Sequence, residues 1–514
     1  MGSSRHSRRR VLGLGAAAGA AAVVGGTVPW LASTDETGRL QPSGLPLPAH
    51  FRVPLPVPPV LRPERNGDVD RYEITQRVAT VEFLPGVPTT IWGYDGRFPG
   101  PTIVSRSGRT TVVNHRNELP VPTAVHLHGG HTPADSDGYP TDLVLPTGAA
   151  APYPASHPDP EAHTTIGARE YRYPLQQRAA TLWYHDHRMD FTGPSIWRGL
   201  AGFHLVRDAE ELALPLPDGD RDIPLMIVDR SFASDGSLLY PSLDRALHHR
   251  PGTTERYRQG VLGDVILVNG AAWPALEVDA VRYRFRLLNA SNARRYRLSL
   301  DPPAPGGIVQ IGSDGGLLER PVRHTVLDIA PGERFDVVID FGGYPVGQAV
   351  TVRNLLGAGS TRDVVRFHVA RKAVDESGLP DRLSTVERLD PRSARRTRNL
   401  VFGNAQDHTW TINGHHFSTA RADITTALGD VEIWRFATDF HHPIHLHLVH
   451  FQVLARNSTG PGAYDGGWKD TVNLRPAERI SVIARFSDYP GRYLFHCHNL
   501  EHEDMAMMAN VRVG

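Results

Sequence analysis

The chain has 514 residues, which at roughly 100 to 200 residues per domain predicts about three domains. Its 55 basic residues balance 55 acidic ones, so neither a bulk basic field for nucleic acid nor an acidic tail is present. Hydrophobic residues at 40% exclude wholesale disorder, and a lone cysteine, Cys497, excludes a disulfide framework, an iron–sulfur cluster and any Cys-rich zinc site.

Residues 1–32 read as an export signal. Arg8-Arg9-Arg10 opens a weakly apolar Ala/Gly run from Leu14 to Val28, with small residues after it. The paired arginines and mild hydrophobicity resemble a bacterial twin-arginine signal, which implies a secreted or cell-envelope protein. The run is short and poorly apolar, so no stable membrane insertion is expected. Gln41 to Pro63 is proline-rich and predicts an extended surface arm.

Period-two patterns follow. Thr110 to Asn114 and Asp336 to Asp340 are β-branched runs bounded by turn residues. With 49 glycines and 42 prolines, they predict an all-β chain of sandwiches or barrels. Pro331-Gly332-Glu333-Arg334 opens a strand pattern that Pro476-Ala477-Glu478-Arg479 repeats, and Val268-Asn269-Gly270 is echoed by Ile412-Asn413-Gly414 at nearly the same offset. A duplicated domain is expected. The predicted division is 33–208 for a first domain with its arm, 209–371 for a second, 372–398 for a charged linker and 399–514 for a third.

Four His-x-His pairs dominate the chemistry: His126/His128, His185/His187, His445/His447 and His496/His498. On a strand, residues i and i+2 share a face, so each pair can aim two imidazoles at one place. Neutral imidazole suits copper, zinc, iron and nickel. In His496-Cys497-His498 the cysteine faces the other way and serves a separate centre. With His442 upstream and His502 and Met507 downstream, it completes the two-histidine, one-thiolate, weak-methionine set of a blue-copper site. The other eight histidines exceed the needs of one zinc ion. A one-electron centre wired to a multi-metal centre points to an oxidase that reduces dioxygen.

At these motifs the chain resembles the multicopper oxidases, and most closely the bacterial three-domain branch of laccase, bilirubin oxidase and phenoxazinone synthase. The likeness runs from about Asp70 to the end. It implies three cupredoxin-like Greek-key domains and four copper ions. His442, Cys497 and His502 would hold a type 1 copper, with Met507 axial. His126 and His445 would hold a type 2 copper. The two type 3 coppers would take His128, His185 and His498, and His187, His447 and His496. His502 would be the solvent-side ligand through which electrons arrive. Asp137 and Glu503 would tune the cluster or relay protons. The middle domain, without a His-x-His pair, would be a spacer and part of the substrate rim.

The implied partners are dioxygen and a small electron donor: a phenol, an aminophenol or a bilirubin-like tetrapyrrole. Two rival readings are a cuprous-ion oxidase, for which the chain lacks a methionine-rich insert, and a structural or assembly protein, for which it retains too many ligands. Trp183, Tyr184 and Phe495 read as core packing. His415, His416 and His441 read as surface or supporting residues, and Asp186 should face away from the cluster by strand alternation.

Overall fold

The computed structural model describes residues 37–149, 157–405 and 409–514, so the expected signal segment lies outside the described residues. Strands dominate, as composition and periodicity predict. Val69–Leu84 shows the reason, because Tyr72, Ile74 and Gln76 point inward while Arg71, Glu73 and Arg77 do not. One face meets a core and the other meets water.

The large sheets form three pairs that succeed one another along the chain. The first pair has five and four strands, the second seven and five, and the third five and five. Each sheet of each pair contains one parallel neighbour relation. Val69–Leu84 runs beside Thr110–Asn117, Asp222–Arg230 beside Arg282–Asn289, and Arg396–Asn404 beside Val431–Thr438. A parallel pair needs a crossover, which gives each unit its Greek-key character.

The sequence repeat maps onto this topology. Arg334–Asp340 lies antiparallel to Arg282–Asn289, and Arg479–Arg485 takes the same place beside Val431–Thr438. Asn269-Gly270 and Asn413-Gly414 both turn with positive φ at each residue, 50° and 85° against 52° and 76°. That is the hairpin geometry that Asn-Gly favours.

The proline-rich segment is extended, as expected, and it also straps two units together. Arg39–Gln41 pairs with Val261–Gly263, Pro54 bridges to Ala275, and Val60 bridges to Thr102. Residues 372–395 form no strand, yet Leu383 and Leu389 are buried. The first two units share one apolar core that runs from Phe83, Trp183 and Phe203 to Phe285, Phe335 and Phe367. The third has its own, around Trp434, Phe436 and Phe495. Two short helices join the ends: Asp504 of Leu500–Asp504 accepts from the amides of Thr192 and Gly193 at 2.7 and 2.9 Å, at the start of Thr192–Arg198. Among the described residues no helix is long and apolar enough to cross a membrane.

Candidate metal centre

Four strands and the residues just past their ends supply the histidines, apart from His502 on the helix Leu500–Asp504. Val125–His128 lies antiparallel to Ala180–Asp186 with His126 opposite His185, and His442–Leu446 lies antiparallel to Gly491–Cys497 with His445 opposite His496. The first pair belongs to the first unit and the second pair to the third. The matching strands of the middle unit, Tyr296–Asp301 and Ala349–Asn354, carry no histidine.

Alternation along Gly491–Cys497 sends His496 and Cys497 to different sites. Cys497 Sγ lies 3.3 Å from His442 Nδ1 and 3.5 Å from His502 Nδ1, and the two Nδ1 atoms are 3.1 Å apart. All three residues are buried. Met507 shares their apolar core, its amide donates to the His502 carbonyl at 3.0 Å, and its own carbonyl accepts from the Cys497 amide at 3.2 Å. Met508 packs in a different cluster and Met505 only at the margin. Burial pushes the Cys497 thiol well up, against one amide bond from Asn499. Burial likewise pushes His442 down to about 3 and His502 well down. A thiol held neutral beside two neutral imidazoles needs a cation before it can become a thiolate.

The other eight histidines converge behind it, all buried. Hydrogen bonds fix which nitrogen six of the eight offer. The Nδ1 atoms of His126, His185 and His445 donate to the carbonyls of Asp137, Asp186 and Asp470 at 2.6, 2.9 and 3.0 Å. His447 Nδ1 donates to the Asp137 carboxylate at 2.8 Å. His496 Nδ1 lies 3.1 Å from Glu503 Oε2, and His187 Nδ1 lies 3.7 Å from Glu503 Oε1. His128 is turned over: its Nε2 lies 3.1 Å from Asp470 Oδ1, which leaves Nδ1.

The nitrogens left over point at one another. His126 Nε2 and His445 Nε2 are 3.3 Å apart, and His496 Nε2 lies 3.3 Å from His187 Nε2 and 3.2 Å from His447 Nε2. His128 Nδ1, His185 Nε2 and both ring nitrogens of His498 are buried with no hydrogen-bond partner. Burial, reinforced by neighbouring imidazoles, pushes His126, His447 and His498 well below the usual histidine range, and His185 and His187 to about 3 and 4. These rings stay neutral, so the facing lone pairs repel unless cations lie between them. The residues therefore fit a bound metal.

The expected set His187, His447 and His496 brings its ligand atoms within 4.8 Å of one another, as does His442, Cys497 and His502. His128, His185 and His498 are ring neighbours at 4.9 to 5.8 Å without converging as tightly. Asp137 and Glu503 both reach the cluster, in opposite electrostatic settings. Burial pushes the Asp137 carboxyl up, and Asp142 adds to it. Burial also pushes Glu503 up, but His496 and His187 outweigh it and hold its carboxyl below the usual range.

Some expectations need correction. His502 does not face solvent: the Trp410 ring covers it at 3.8 Å, and its Nε2 donates to the Gln259 carbonyl at 3.2 Å. His441 is buried, whereas His415 and His416 are exposed. Trp183 is core, yet its ring also lies 4.2 Å from that of His185 and 5.1 Å from that of His128. Asp186 turns its carboxylate to the Ala124 amide, 2.8 Å away. Asp470, which serves both His128 and His445, is a lone acid in no motif, and nothing in its sequence context marks it.

Two Greek-key units that meet at a buried eight-histidine cluster, with a buried site of one cysteine and two histidines in the third unit, define a protein built to hold metal. Family models described as multicopper oxidase match residues 75–211 and 390–514. The laccase of Bacillus stratosphericus is 39% identical, over 88% of this chain and 97% of its own length. The bilirubin oxidase of Albifimbria verrucaria is 35% identical, over 89% of this chain and 80% of its own. The crystal structure of a multi-copper oxidase from Pediococcus acidilactici superposes with a TM-score of 0.79 at 30% identity, over 93% of both chains. The chain belongs to the multicopper oxidase family, and is accordingly a copper-dependent oxidoreductase with cupredoxin-like units.

Proposed function

We propose that this chain is a laccase-like oxidase with four copper ions. His442, Cys497, His502 and Met507 would hold a type 1 copper. His126 and His445 hold a type 2 copper. His128, His185 and His498 hold one type 3 copper, and His187, His447 and His496 the other. The observation that carries the reading is the set of facing or orphaned imidazole nitrogens, each with its second nitrogen committed elsewhere where a partner exists. Copper there supplies one-electron redox chemistry, so that four electrons taken singly from a donor reduce dioxygen, with four protons, to two waters.

The protein's own groups define the rest. Cys497 is bonded through its backbone to His496 and His498, so sulfur site and cluster share one covalent segment. Asp137 accepts the Nδ1 proton of His447, and Glu503 lies 3.1 Å from His496 Nδ1, which itself donates to the Cys497 carbonyl at 3.2 Å; these two acids would pass protons inward. A donor docks outside the cover that Arg258, Gln259 and Trp410 make over His502; Trp410 Nε1 donates to the Arg258 carbonyl at 3.1 Å. The relatives named laccase and bilirubin oxidase support phenols, aminophenols or bilirubin-like tetrapyrroles as donors. Domain limits at 33–208, 209–371 and 399–514 with a 372–398 linker suit this arrangement.

Copper loading followed by metal analysis and oxygen uptake with an aminophenol, a dimethoxyphenol, bilirubin and Cu(I) tests the reading. About four coppers per chain and turnover of an organic donor are expected; preference for Cu(I) would favour a metal oxidase, and one ion or none would refute the assignment. The Arg8-Arg9 signal supports export by the twin-arginine route to the envelope or beyond. Lysine at both positions should hold the chain inside the cell, and unchanged export would refute that route.

A further inference from the structure

We infer that the middle unit builds one wall of the histidine cluster, and that Arg334, acting through Asp470, is a positioning residue for His128 and His445. The inference rests on the copper reading above and adds a role for a unit that contributes none of the proposed ligands.

The wall is the turn Pro331-Gly332-Glu333-Arg334. Gly332 has φ of 82°, and a Cβ built on it would stand 3.1 Å from His128 Cε1 and 3.1 Å from His498 Cγ and Cδ2. The backbone of the turn therefore rests directly on two cluster imidazoles, which only glycine allows. The repeat supplies an internal comparison. Ala477 occupies the matching position of Pro476-Ala477-Glu478-Arg479, at φ 57°, and Glu333 and Glu478 close their turns alike by accepting the amides of Ala330 and Arg475 at 2.8 and 2.9 Å. The turns differ where the cluster is met: glycine replaces alanine, and Arg334 is fully buried where Arg479 is exposed.

Arg334 spends all five of its N–H donors. Nε donates to the Thr181 carbonyl at 2.9 Å in the first unit. Nη1 donates to the Gly332 carbonyl at 3.0 Å and to Asp470 Oδ1 at 2.7 Å. Nη2 donates to the Asp314 carbonyl at 3.2 Å and to Asp470 Oδ2. One guanidinium thus ties all three units at the cluster, and its planar fork fixes the Asp470 carboxylate from two sides. Asp470 then holds His128 Nε2 with Oδ1 and His445 Nδ1 with its carbonyl, at 3.1 and 3.0 Å. The segment is clamped from behind as well. Lys469 is buried against Asp314 and Glu333 at 3.0 and 3.3 Å, and Asp314 Oδ2 accepts the amides of Asp470 and Thr471 at 3.3 and 3.2 Å. The two cations and three carboxylates leave one negative charge in excess beside the imidazoles, which suits a cationic cluster.

The test compares the copper-loaded full chain with its Asp470→Asn, Gly332→Ala and Arg334→Lys variants. Asparagine keeps the shape but gives the fork and His128 one acceptor oxygen in place of two. Alanine leaves every charge in place and adds a methyl against His128 and His498. Lysine keeps the charge and loses the fork. Copper retention against a chelator is measured together with the paramagnetic resonance of non-blue copper and the thiolate-to-copper absorption. Each variant should release cluster copper at about 10- to 100-fold lower chelator concentration, while the sulfur-site absorption per chain stays at the wild-type level. An Arg353→Gln variant, at an ion pair with the half-exposed Asp301, should behave as wild type. Equal retention of cluster copper in Asp470→Asn and Gly332→Ala would overturn the inference. So would loss of both copper signals together with a lowered melting temperature, since that marks a merely structural staple. A wild-type chain that takes up no copper would instead refute the copper reading itself.

Discussion

Asp137 gives the sharpest test of how the cluster is oriented, because it serves two imidazoles with two different groups. Its carbonyl accepts from His126 Nδ1 at 2.6 Å, and its carboxylate Oδ2 accepts from His447 Nδ1 at 2.8 Å. Cations bound in the cluster would offset the burial that pushes the Asp137 carboxyl up and keep it ionised, so Asp137→Asn, which leaves the carbonyl in place and still offers His447 an oxygen, loses only the charge. A buried hydrogen bond to a charged partner is worth about 1.5–3 kcal/mol, and a neutral one about 0.5–1.5 kcal/mol. The difference, about 1–1.5 kcal/mol, is about 5- to 10-fold in an equilibrium constant. Asp137→Ala removes the acceptor altogether, leaves the His447 Nδ1 proton buried without a partner, and should cost about 10- to 100-fold in metal affinity. Chelator competition on the loaded protein, read as copper retained per chain, should rank wild type above asparagine and asparagine above alanine. Oxygen uptake with a fixed donor should follow the same order. Wild-type copper retention and turnover in both variants would refute the reasoning, and so would an asparagine variant as damaged as alanine.

Cys497→Ser should abolish the absorption band near the red end and cut oxygen uptake with organic donors to background, while copper at the histidine cluster remains detectable by paramagnetic resonance; a persisting band would place the sulfur outside the metal site. His115 allows a test of folding linkage away from the metal ligands. It lies buried among the rings of Tyr94, Tyr171 and Tyr184 at 5.6, 5.6 and 5.9 Å, and burial pushes it down to about 3. The unfolded chain takes a proton near the ordinary histidine value and the folded chain does not. Its contribution is therefore intact above about pH 6.5 and is lost as pH falls toward about 3, by about 1.4 kcal/mol per unit. Urea melts of wild type and His115→Phe at pH 7 and pH 5 should show the variant losing about 2 kcal/mol less over that interval, and equal losses would contradict a neutral buried His115.

The proposed copper ligands were legible because strand geometry writes them into the sequence. A two-residue spacing puts both imidazoles of a pair on one face, and the intervening Cys497 must then look the other way, toward His442 and His502. The repeated Asn-Gly and Pro-x-Glu-Arg turns were legible for the same local reason, since positive φ and turn closure restrict composition. The partners that orient the imidazoles were not. Asp470 lies in no repeated pattern and Arg334 showed only as the last residue of a repeated turn; the two stand far apart in sequence and meet only when separate sheets dock. Lys469, one of only two lysines in the chain, stands in no motif, yet it is a fully buried cation between two carboxylates. The cover over His502 was hidden too, because it uses the backbone carbonyl of Gln259, which any residue there would supply.

That division bears on how the cluster holds its shape. Facing lone pairs repel, so nothing in the histidines themselves keeps His126 and His445, from different units, at 3.3 Å. The restraint has to come from outside the ring set. It comes from groups whose other bonds reach across the seams: Asp137 in the first unit gripping His447 in the third, Asp504 in the third gripping the first helix, and Arg334 in the middle gripping both. The middle unit's lack of ligands is then no sign of a passive role. A two-unit version of this chain would keep every imidazole and lose the guanidinium that fixes Asp470, and with it the side-chain carboxylate setting of His128. The ligands determine which metal is bound; the seams between the units determine whether their nitrogens meet.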